Sequence, residues 1–148
     1  MAWDHTQAEE DVRTILAANL DASLIAFWDD TSFDPPDPTG DVSSRVKWYD
    51  CEWRPQGKLV REGTQQISVG GSRAQTYILE VGICFENGLV GSGLAALTEA
   101  EAIEGYFTGA DTSTMVYRVA ESRCESSRVW QDTWLLLPWI LEIERYED

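Results

Sequence analysis

Between Thr76 and Phe107 the spacing of apolar residues changes period once. Tyr77, Leu79, Val81, Ile83 and Phe85 recur at every second position, which sends all five to one face of a strand. From Leu94 the spacing becomes three and four, through Leu94, Leu97, Ala100, the Ala102/Ile103 pair, Tyr106 and Phe107. That spacing predicts an amphipathic helix whose apolar stripe lies back on the strand. Thr98 with Glu101 reads as a capping box, which starts the helix at Glu99, and Gly109 suits its C-terminal end.

The same reading extends along the chain. Asp4 with Gln7 resembles a capping box, and Ala8, Val12, Ile15, Leu16 and Leu20 then follow helical spacing, so a first helix is expected from Thr6 to Asn19. Ser23 to Trp28 reads as a short edge strand, and the proline- and aspartate-rich DDTSFDPPDPTGD after it as a loop. Arg45 to Trp53 carries bulk on both faces, Val46 and Trp48 on one and Tyr49, Cys51 and Trp53 on the other, which suggests an interior strand or a subunit contact. Residues 54–75 form a Gly-, Gln- and Ser-rich stretch, expected to be a long hairpin excursion that is either mobile or used for binding. Thr114 to Arg123 and Val129 to Arg145 alternate, with a turn expected at Ser126 to Arg128, so they predict an antiparallel hairpin. Pro138 removes a ladder donor and is expected at an edge or a bulge. The whole is one α+β domain over residues 1–148, a mainly antiparallel mixed sheet with both helices on one face and a long β-hairpin excursion.

Charge narrows the function classes. The 148 residues hold 26 Asp plus Glu against 11 Lys plus Arg, a formal net charge of −15, which opposes nonspecific binding to nucleic-acid phosphates. The longest apolar run, Trp134 to Leu141, is interrupted by Pro138 and is too short for a membrane span, and the acidic N-terminus does not read as a secretory signal. Cys51, Cys84 and Cys124 match no zinc or disulfide spacing and read as reduced thiols. With one histidine, His5, at a helix start, no nucleophile and base pair is in view, and no catalytic residue, metal site or cofactor is expected. Gly70-Gly71 lacks the Gly-Lys-Ser/Thr ending of a phosphate loop. Glu80 and Glu86, with Asp50 and Glu52 on the preceding strand, share a face if the two strands pair.

Seven tryptophans are many for one small core, and interfaces favour them, so an oligomer is expected, with Trp48, Trp53, Trp130 and Trp134 as candidate subunit contacts. At this point the chain resembles the tail terminator (tail completion) proteins of long-tailed bacteriophages and gene transfer agents. The likeness rests on the N-terminal helix, FWDDTSFDPP at Phe27 to Pro36, the strand Arg45 to Trp53 and the Gly-rich excursion. It continues through YILEVGICFENG, the acidic helix TEAEAIEGYF and the closing WLLLPWILEIERY, though the excursion is longer and more basic than in compact members.

The resemblance implies a virion protein of the tail or neck, assembled in the host cytoplasm as a homo-oligomer, a hexameric ring. Such a ring caps the tail tube protein, stops its polymerisation, and meets a head-tail connector or neck protein on its other face. DNA passes through without specific binding. On that reading Lys58, Leu59, Val60, Arg61, Ile67, Val69 and Arg73 are the partner- or tube-binding loop, and Glu80, Glu86, Glu99, Glu101 and Glu104 an acidic lumen face. Competing readings are another neck or head-closure adaptor or tube-like subunit, or, in a different class, a small acidic ligand-binding or enzyme domain.

Overall fold

The computed structural model describes residues 5–38, 47–59, 74–88, 92–108, 111–112 and 115–147. Helix α1 spans His5–Asn19 and α2 spans Ser92–Phe107; the strands are β1 (Ile25–Ala26), β2 (Lys47–Leu59), β3 (Ala74–Glu86), β4 (Asp111–Thr112), β5 (Met115–Cys124), β6 (Arg128–Trp130) and β7 (Trp134–Glu147). The sheet runs β1-β2-β3-β7-β5-β4, with β6 also paired to β7. Among the described residues only the β1–β2 pair is parallel. The chain is α+β, as the alternation of periods predicts.

Alternation decides what each strand buries. On one face Tyr49, Cys51, Trp53, Tyr77, Leu79, Val81, Ile83, Phe85, Leu137, Leu141 and Ile143 form a single core with Ala8, Val12 and Leu16 of α1 and Ala96, Ala100, Ile103 and Phe107 of α2. Both helices therefore cover the same face. The opposite face carries a second, smaller cluster of Ala26, Trp48, Cys84, Trp134 and Leu136, with Phe33 and Trp130 packed against it. The two-sided bulk of β2 thus reflects burial on both faces, Trp48 on one and Tyr49 on the other.

The stripe of α2 is not the one its leucines suggest. Leu94 is 72% and Leu97 42% exposed, whereas Ala96 and Ala100 are fully buried. Alanines face the sheet because the strand side chains below them are large, and a small residue lets the helix approach. Glu99 fixes the phase, accepting from Tyr49 Oη at 2.6 Å and Lys47 Nζ at 2.9 Å. Nor does the helix begin at Glu99 with Thr98 as its cap: it starts at Ser92, and the Thr98 hydroxyl donates to the Leu94 carbonyl within an established turn, at 3.1 Å.

Of the two settings expected for Pro138, an edge or a bulge, the structure shows the second: from Cys124 opposite Trp139 to Arg128 opposite Leu136 the neighbouring strands gain one residue on β7. Pro138 lies in β7, which pairs with β3 on one side and with β5 and β6 on the other, so it is not at an edge. The neighbouring strand is what breaks: β5 ends at Cys124 and β6 starts at Arg128, opposite the proline, and the Glu125 N–H donates to the Pro138 carbonyl at 3.0 Å. A missing donor is harmless where no strand is there to receive it. Arg128 consequently belongs to a strand, and the turn lies at residues 131–133, where Gln131 and Asp132 adopt left-handed φ values of 50° and 59°.

A buried polar network ties α1 to strands β5 and β7. Tyr117 Oη donates to Asp11 Oδ2 at 2.6 Å, Arg145 Nε donates to Tyr117 Oη at 3.0 Å, and Gln7 Nε2 donates to Asp11 Oδ1 at 2.9 Å. Tyr117 is fully buried. Removing one member strands the others in a medium of low polarity, so Tyr117→Phe is expected to lower unfolding free energy by about 1–3 kcal/mol in urea titrations. An unchanged midpoint would show the network to be energetically idle.

Candidate interaction surface

Near the end of β1 an aromatic ladder joins α1 to the sheet. Tyr77 and Trp53 stack with centroids 4.6 Å apart, and Trp53 and Trp28 follow at 6.3 Å. His5 meets Tyr77 edge-on, its Nδ1 3.1 Å from the hydroxyl. The guanidinium of Arg13 lies 4.8 Å from the Phe27 ring centroid and 4.6 Å from that of Trp28, while its Nη2 reaches Asp29 at 2.8 Å. Trp28 Nε1 donates to Glu9 at 2.6 Å. These contacts hold Phe27 and Trp28 against the helix, so the chain leaves the sheet directly after Ala26.

What that departure opens is a groove of about 470 Å³ beside β2, with Trp28, Trp53, Asp30, Asp50 and Glu52 in its lining. Asp50 and Glu52 stand two residues apart on β2 and so point to the same side. Burial pushes the Asp50 carboxyl above the usual carboxylate range, with the Glu52 charge adding to the shift and Arg128 opposing it. Glu52 is held at 2.9 Å by Arg54, which also lies 3.9 Å from Glu80, the residue directly across from Glu52 on β3. The groove is open to solvent, unlike the dry pocket of a small-molecule enzyme.

The acids expected to form one wall are dispersed. Glu80 lies on the sheet face away from the helices, whereas Glu99 and Glu104 are on α2, Glu104 accepting from Ser122 Oγ at 3.1 Å. Glu86 is only 3% exposed, so it is part of no surface. Of the three α2 acids in that set, Glu101 is the exposed one. The chain likewise buries Trp48, Trp53 and Trp134 in its own interior, at 2%, 7% and 3% exposure, leaving Trp130 as the half-exposed member of the expected contact set. Two clusters, one on each sheet face, absorb tryptophans that one core could not hold.

Of the expected binding loop, Lys58 and Leu59 are placed on the backbone of β2; Val60, Arg61, Ile67, Val69 and Arg73 lie outside the described residues. Among the described residues no group of three His, Cys, Asp or Glu side chains converges as metal ligands would, and no helix is long and apolar enough to cross a membrane. Cys51 and Cys84 are buried; the exposed Cys124 lies 3.2 Å from the Glu125 carbonyl.

The borders of the sheet are what sequence reasoning missed. Strand β1 covers β2 only at Tyr49 and Asp50, and β4 covers β5 only at Met115 and Val116. Among the described residues no strand pairs with the outer side of β2 from Cys51 onward, or of β5 from Tyr117 to Cys124. The two-residue lengths of β1 and β4 create these openings, and such short strands carry no periodic signal. No protein-family model matches the sequence, and no curated protein matches it either.

Proposed function

We propose that the chain is a non-catalytic assembly protein, a ring-forming tail terminator that caps a tail tube, ends its growth and joins it to the head or neck. The observation that carries this reading is the sheet with, among the described residues, an open border on each side, β2 at one end and β5 at the other. Two different borders allow head-to-tail contacts, and head-to-tail contacts close into rings when the rotation fits. The net charge of −15 supports the same reading, because a ring that DNA slides through must not grip phosphates. The functional side chains are spent on structure: the only histidine is docked on Tyr77, and Glu99 and Asp11 anchor helices to strands.

Native mass spectrometry of the purified chain, alone and with tubes of the cognate tail-tube protein, tests the proposal. A closed ring, of six copies on the family's pattern, is expected, together with tubes of arrested length. A chain that stays monomeric at micromolar concentration and leaves tube growth unchanged would overturn it. The groove beside Asp50 favours a second reading, a module for a small cationic ligand. Calorimetric titration with alkylamines separates the two, since saturable micromolar binding lost in Asp50→Asn is expected only of the ligand module.

A further inference from the structure

We draw no further inference here: the strongest candidate, the groove of about 470 Å³ beside β2 where the chain turns away after Ala26, carries nothing because its carboxylates are already met within the chain, Glu52 by Arg54 and Asp50 by the charge of Arg128, and nothing in the structure shows what covers it.

Discussion

Replacing Trp48 with alanine is expected to destabilise the folded chain by about 3–5 kcal/mol, the range for deleting a buried large aromatic. Trp48 is the hub of the cluster on the sheet face away from the helices. Its ring meets Phe33 at 5.4 Å, Trp130 at 5.3 Å and Trp134 at 6.1 Å, the last two edge to face. Losing it opens a cavity on the strand pair β2–β3 and removes the surface on which the 29–38 loop and the β6–β7 hairpin rest. The contrast with an interface tryptophan is sharp. A residue at a subunit contact would leave the isolated chain's urea midpoint unchanged and alter only assembly. Trp48→Ala should instead lower the midpoint at concentrations where no oligomer exists, and Trp48→Phe should lower it less. Trp130→Ala, at a half-exposed position, should fall well below both. Equal midpoints for wild type and Trp48→Ala would mean that the second cluster contributes nothing to folding.

The same residue marks how far the sequence is legible. That β2 buries both faces follows from its bulk at every position, but whether the second face meets the chain itself or a partner depends on Phe33 and Trp134, 15 and 86 residues away, which no local pattern connects. Strand periodicity places β3 and the Trp134–Arg145 part of β7, because a half-buried strand leaves a clear alternation, but it runs the last strand back to Val129 through the turn that separates β6 from β7. The phase of α2 was ambiguous for the converse reason. Its first two turns, SGLAALT, are apolar on most sides, and the leucines look like the core although the sheet selects the alanines. The hairpin turn at Gln131–Asp132 carries no glycine to announce its left-handed backbone, and the break opposite Pro138 depends on a neighbouring strand. The Asp11–Tyr117–Arg145 network spans 106 and 28 residues between bonded partners, beyond any motif. As for the candidate surface, its carboxylates on β2 were legible as a shared face, whereas the open borders follow from two strands too short to predict.

Alkaline pH is expected to unfold the chain, with stability falling steeply from about pH 9. Burial pushes the Cys51 and Cys84 thiols far up, and the Asp50 charge adds to both. Burial likewise pushes the Tyr49 and Tyr117 phenols far up, and each is held in its neutral form by donating to a carboxylate, Glu99 and Asp11 respectively. All four groups are raised in the folded state above their unfolded values, about 8.5 for a thiol and 10 for a phenol. Their contribution to stability is therefore complete below those values and is lost as pH rises through them, because the unfolded chain can release protons that the folded chain must keep. Each group that has passed its unfolded value lowers stability by about 1.4 kcal/mol per pH unit. By pH 11 the four together remove about 10 kcal/mol, comparable with the whole stability of a domain this size. Urea titrations between pH 7 and 11 measure the slope. General self-repulsion of an acidic chain also grows with pH, so the comparison that matters is with variants. Cys84→Ala should flatten the curve from about pH 8.5 and Tyr117→Phe from about pH 10, each by one group's slope, even though both start less stable at pH 7. Parallel curves for wild type and both variants would show that these groups ionise without unfolding the protein, and that the carboxylate partners of Tyr49 and Tyr117 do not hold their protons in place.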